Sequence, residues 1–147
     1  MLSYSFLNTL ASITGVGGFI NLGSGSGSDK EGIVIEFAED SNVMRIGADG
    51  EGFHSLIASR GGTVKVNLLK TSPINSALSA MYHIQRTSAA NWGRNTISLQ
   101  NISTGDSITC EEVAFKRHAD LTYASEGGMI TWEFDAVKIV PVLGIGV

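Results

Sequence analysis

The sequence predicts a mainly β protein, an antiparallel β-barrel or sandwich with one flanking α-helix. Two observations carry that prediction. Short runs of alternating apolar and polar residues recur along the chain, separated by glycine-rich turns. A single stretch, Pro73–Gln85, instead spaces its apolar residues by three and four. The segment Gly61–Tyr82 shows both patterns in succession. Val64, Val66 and Leu68 share one strand face, with Thr63, Lys65 and Asn67 on the other. Ser72 then caps a helix opened by Pro73, which loses no hydrogen bond at that position. Ile74, Leu78, Met81 and Gln85 form the helix's stripe.

The remaining elements follow in order. Tyr4–Thr14 reads as a first strand, Gly15–Gly18 as a turn and Phe19–Leu22 as a short second strand. The run G-S-G-S-G-S over Gly23–Ser28 has the composition of a flexible loop. Gly32–Ala38 is a strand with Ile33, Ile35 and Phe37 inward and Val34 and Glu36 outward. Val43–Ile46 and Phe53–Ser59 flank the glycine-rich tip Gly47–Gly52, so residues 39–59 form an extended hairpin arm on a single domain spanning 1–147. Ala89–Asn95 is a polar loop, and Thr96–Ile102 and Ser107–Lys116 are strands. In the second of these, Ile108 and Cys110 share a face but Val113 and Phe115 fall on the other, which places a bulge at Glu111–Glu112. Asp120–Ala124 and Met129–Ile139 read as a final pair. Ile130, Trp132, Phe134 and Ala136 point one way, Thr131, Glu133 and Asp135 the other.

Composition narrows the function. Charged residues are 16% of the chain, below the ~25% usual for soluble domains. Such a chain presents a neutral Ser/Thr/Asn surface or buries much of its outside against copies of itself. The first 28 residues carry no charged side chain, yet no basic region precedes an apolar run, and Asn, Gly and Ser interrupt it. The expectation is therefore no signal peptide, no transmembrane helix and synthesis in the cytoplasm. A lone cysteine, Cys110, excludes an internal disulfide and reads as a small strand residue.

Charge alternates in blocks. Residues 29–60 hold seven acids and three bases, residues 61–105 hold Lys65, Lys70, Arg86 and Arg94 with no acid, and residues 106–147 again hold seven acids and three bases. This pattern serves either pairing within one subunit or head-to-tail contact between copies.

No catalytic constellation emerges. The glycine clusters lack the G-K-[ST] ending and do not lead into a long helix, so they read as turns. His54, His83 and His118 are far apart with no zinc-type spacing, and the carboxylates match no calcium loop. There is no G-x-S-x-G elbow. A pI near 5.2 without an aromatic-interleaved basic patch argues against nucleic-acid readout. The residues point to a non-enzymatic building block, with no cofactor or metal.

The chain resembles tail tube proteins of contractile-tailed bacteriophages. The specific segments are Met44-Arg45-Ile46-Gly47-Ala48-Asp49-Gly50-Glu51-Gly52 and Leu69-Lys70-Thr71-Ser72-Pro73 running to Ala77-Leu78-Ser79-Ala80-Met81-Tyr82. Weaker support comes from Ser3–Leu7, Ile108–Cys110, Val113–Lys116 and Leu121–Gly128.

The resemblance implies a barrel or sandwich with a flanking helix. Such proteins close into hexameric rings that stack into a hollow tube inside a contractile sheath, and the tube conducts viral DNA. The implied partners are further copies of the chain, the sheath, tape measure, baseplate and tail terminator proteins, and DNA passing without specific binding. The implied location is the virion tail. In that setting Met44, Arg45, Ile46, Asp49, Glu51 and Phe53 on the arm, with Lys65 and Lys70 of the basic middle, are contact candidates. Glu133 and Asp135 are luminal candidates, and Ile74, Leu78 and Met81 mark a helix on the outer side. The alternatives are a tailocin or type VI-like secretion tube, or a monomeric β-sandwich binding module.

Overall fold

The computed structural model describes residues 3–145, and nine strands and one α-helix lie among them. The strands are β1 (Thr9–Gly15), β2 (Gly18–Asn21), β3 (Ser28–Phe37), β4 (Asn42–Ile46), β5 (Gly52–Leu56), β6 (Gly62–Leu69), β7 (Asn95–Asn101), β8 (Asp106–Phe115) and β9 (Met129–Val142). The helix α1 spans Ile74–Gln85. Seven strands form one antiparallel sheet in the order β2-β1-β7-β8-β9-β6-β3, curled into a half-barrel. β4 and β5 pair only with each other.

Alternation fixes which face is buried. Ile130, Trp132, Phe134 and Ala136 of β9 point inward, as do Val64, Val66 and Leu68 of β6 beside them in register. α1 closes this inner face with Leu78, Met81 and Tyr82. Each buried apolar side chain of that size contributes about 1.5–3 kcal/mol. The helix starts at Ile74 with Pro73 at its N-cap, one residue later than the sequence suggests, and the Ser72 hydroxyl just before it accepts from Ile74 N at 3.3 Å. Tyr82 gathers an aromatic cluster with Trp92, Phe115 and His118, all edge-on within 6.0 Å.

The change of phase in β8 is a real bulge. Ile97 pairs with Cys110 but Asn95 pairs with Val113, so β8 carries one extra residue there. Glu112 takes a φ of 52°, a left-handed conformation in which a side chain is strained. Cys110, Val113 and Phe115 can thus all face the core. Burial pushes the Cys110 thiol up to about 11 from 9.0, so this group's contribution to stability is complete below pH 9. It is lost as the pH rises through about 11. We expect iodoacetamide at pH 8 to label Cys110 only in denaturant; rapid labelling of the native protein, followed by mass spectrometry, would show the strand opens locally.

Four sequence expectations need correction. The first strand starts at Thr9, because Ser5 accepts Leu7 N at 3.1 Å and caps a short 3-10 turn over Phe6–Asn8. The Gly-Ser run is not a free loop. Ser26 is buried, its hydroxyl donates to Leu22 O at 3.1 Å, and its carbonyl accepts from the Ser72 hydroxyl. Phe37 faces solvent, since its cross-strand partner is Gly62, which offers no side chain to pack on. Asp120–Ala124 is irregular and pairs with nothing, because β9 already has β6 along one edge and β8 along most of the other. The segment is held instead by Lys70, whose ammonium donates to Thr122 O and lies 4.0 Å from the centre of the Tyr123 ring.

Candidate assembly surfaces

Large apolar side chains remain outside in number. Phe19 on the edge strand β2, Phe37 at the end of β3, Leu121 and Tyr123 in the irregular segment, and Leu143 and Ile145 after β9 are all exposed. Exposed apolar side chains gathered on one element, rather than scattered singly, are the signature of a contact with other molecules.

The β4–β5 hairpin is the most pronounced case. Its register, from Asn42↔Leu56 to Ile46↔Gly52, sets Met44, Ile46 and Leu56 on one face and Val43 and Phe53 on the other. Every one of these side chains is exposed, Leu56 to 88%. A two-stranded ribbon is marginal in water by itself, and one apolar on both faces lacks a core on either side. Its tip is well made. Gly47 N donates to Glu51 O at 2.6 Å, Asp49 Oδ1 accepts from Glu51 N at 3.1 Å, and Gly50 adopts a φ of 88°. Asp49 therefore shapes the turn, while Arg45 and Glu51 lie exposed beside it.

The sheet face opposite α1 is polar. Lys65 of β6 lies between Val34 of β3 and Glu133 of β9 in register, and its ammonium reaches Glu36 at 3.6 Å. Asp135 is exposed one step along, with Thr63 Oγ1 at 3.5 Å. A groove of about 500 Å³ runs over this face between Glu36, Lys65, Glu133 and the Arg117–Thr122 segment. Glu133 and Asp135 thus share an open, mostly acidic face, as alternation in β9 requires.

The basic middle of the chain is split by the fold. Lys65 is engaged by Glu36 and Lys70 by Thr122 and Tyr123, so both have partners within the subunit. Ile74, Leu78 and Met81 lie on the inner side of α1, with Leu78 and Met81 fully in the core. They hold the helix to the sheet, and the outward face is carried by Ser76, Ala80, His83 and Ile84.

One polar arrangement has only a faint sequence signal. Gln85, the polar member of the helix stripe, exchanges two amide hydrogen bonds with Asn95, at 2.7 and 2.9 Å, and also donates to Val16 O at 2.9 Å. Both side chains are buried, and the pair ties the end of α1 to β7 and to the β1–β2 turn. The fold also brings His83 and His118 to 5.9 Å, with His118 Nε2 2.9 Å from Ser79 Oγ. Among the described residues no three His, Cys, Asp or Glu side chains converge as a metal site would require, and no helix is long and apolar enough to cross a membrane.

Several solved structures share this fold. The tube-terminating cap of the anti-feeding prophage matches with a TM-score of 0.56 at 11% identity, over 98% of this chain and 95% of that one. A chain of the anti-feeding prophage baseplate matches at 0.55 and 13% identity, over 100% and 99%. A chain of the PVC sheath–tube complex, from an extracellular contractile injection system, matches at 0.52 and 14% identity, over 96% and 92%. No curated protein matches the sequence. The family model described as "Bacteriophage PhiTE tail tube protein" matches residues 1–144. With nearly its whole length matched, the chain belongs to that family of phage tail tube proteins.

Proposed function

We propose that this tail tube protein is the repeating subunit of a hollow tube, six copies to a ring, stacked inside a contractile sheath. It is a structural part without catalytic activity, made in the cytoplasm of the host and built into the virion tail. The observation that carries this reading is the hairpin, exposed and apolar on both faces, on a subunit that leaves further aromatic side chains uncovered at its sheet edges. A closed ring covers such edges through one repeated contact. The sheath would meet the outward side of α1, and tape measure, baseplate and terminator proteins would meet the tube's interior and ends.

The polar face opposite α1 is the proposed lumen wall. With each copy at −4, a six-membered ring carries about −24, so phosphates are repelled and DNA slides without sticking. Concentrated protein should form rings or tubes in electron micrographs; a low-mass monomer at every concentration would refute the reading. Reversing Glu133 and Asp135 to lysine should leave assembly intact and slow genome ejection. Unchanged infectivity would remove both residues from the lumen.

The shared fold is also compatible with a second reading, the tube of a tailocin or of another contractile injection system. Capsid genes beside this one would support the virion, and their absence the particle.

A further inference from the structure

One stretch of the core's own face has no cover. Ile33 and Ile35 of β3 stand opposite the buried Val66 and Val64, and Leu99 of β7 stands between Ala11 and Ile108. All four therefore point to the core side of the sheet, yet each is only half-buried. With Phe6 they floor a groove of about 530 Å³. No residue of α1 lines it, because the helix lies over Phe115 and Trp132 instead. Ordinary binding clefts run from roughly 300 to 1,000 Å³, so this opening has the size of a docking site rather than of a packing fault.

The groove's rim is acidic. Asp29, Glu31 and Asp106 border it against one base, Lys30, and among the described residues none of the three acids makes an ion pair. Such a site suits an apolar side chain with a cation beside it. The hairpin offers that combination on one of its two faces. Register sets Arg45 directly across from Phe53, with Val43 next along the same side. All three are exposed, and among the described residues Arg45 makes no ion pair. Two rival pairings are already engaged within the subunit: Lys70 beside Tyr123 donates to Thr122 O, and Arg117 near Leu121 lies 3.8 Å from Asp120. Within one copy the hairpin and the groove do not meet, since no hairpin residue lines it. A ribbon without a core and a core face without a cover are complementary surfaces for two copies.

Building on the tube reading, we propose that the Val43, Arg45 and Phe53 face of one copy's hairpin seats in the Ile33, Leu99 and Ile108 groove of a second copy. Phe53 is the buried anchor, and Arg45 against Asp29, Glu31 and Asp106 sets the register. The contact is heterologous: each copy gives one hairpin and receives another, so it repeats through the assembly.

A designed disulfide tests this. Phe53→Cys and Leu99→Cys are placed in one chain, the protein is concentrated to assemble and then mildly oxidised. Non-reducing gels should show a ladder of linked copies that neither single variant nor the wild type gives, Cys110 being buried. Ile33→Cys replaces Leu99→Cys if thermal melts show the latter unfolded. Tubes whose introduced thiols stay free would overturn the contact and leave the tube reading standing. A disulfide closed within one chain would overturn it by making the occupant the copy's own hairpin, and linked pairs from Phe53→Cys alone would overturn it by making hairpin meet hairpin. Arg45→Glu should weaken association about tenfold in sedimentation velocity, and adding Asp29→Lys with Glu31→Lys to the same chain should restore it. An unchanged Arg45→Glu protein, or no recovery in the triple variant, would overturn the pairing with the acidic rim. A wild type that never oligomerises would overturn this contact and the tube reading together.

Discussion

Replacing Asn95 with alanine is expected to cost about 3 kcal/mol of folding stability, a fall in Tm of roughly 10 °C for a domain of this size. The fully buried Gln85 amide oxygen loses its donor, and the space Asn95 filled opens beside it. A surface asparagine would cost a few tenths at most. Gln85→Leu should cost a similar amount by stranding Asn95. The double variant Gln85→Leu with Asn95→Ala should cost clearly less than the two together, since neither amide is then left unpaired. Additive losses in urea titrations would mean the two amides act separately. Gly15 belongs to the same arrangement, for a Cβ there would fall inside the Asn95 side chain.

That network also shows where the sequence stopped being legible. The helical stripe Ile74, Leu78, Met81, Gln85 was readable because period 3.6 is a local property, and three of its members are buried. The glutamine at its end was visible as an oddity. Its partner ten residues on was not, since only the closed fold brings β7 to the helix. The bulge in β8 was readable for the same local reason, as an interruption of period two that the left-handed Glu112 resolves. Asp120–Ala124 looked like a strand because alternation cannot report whether a neighbour has a free edge. The Gly-Ser run looked flexible because composition cannot report that one serine of three becomes buried against Ser72.

The candidate surfaces divide in the same way. Alternation put Glu133 and Asp135 on the face away from the core, and the hairpin's two strands and glycine tip stood out as a unit. Charge blocks marked Lys65 and Lys70 as docking cations, but counting along a chain cannot say which acid lies across a strand. Lys65 meets Glu36 because β3 and β6 are neighbours, a pairing separated by 29 positions of sequence.

Removing the hairpin should separate assembly from folding completely. Ile57 N donates to Ser41 O at 2.9 Å, so the ends of the excised piece already stand as neighbours across a ribbon. Two residues, Asn-Gly, can join Ser41 to Ile57 in a tight turn. Of the side chains lost, Asn42 through Leu56, only Ser55 is even half-buried, so no apolar contact with the core goes with them. The urea midpoint should therefore correspond to a change below about 1 kcal/mol. The removal of five exposed apolar side chains even lightens the load of uncovered surface on the free subunit. Sedimentation should nonetheless show association abolished rather than weakened, because the excision takes away one whole partner of a contact that every copy must make. A truncated protein that still builds wild-type tubes would show that the hairpin is no contact at all, and one that fails to fold would make it part of the domain's own structure.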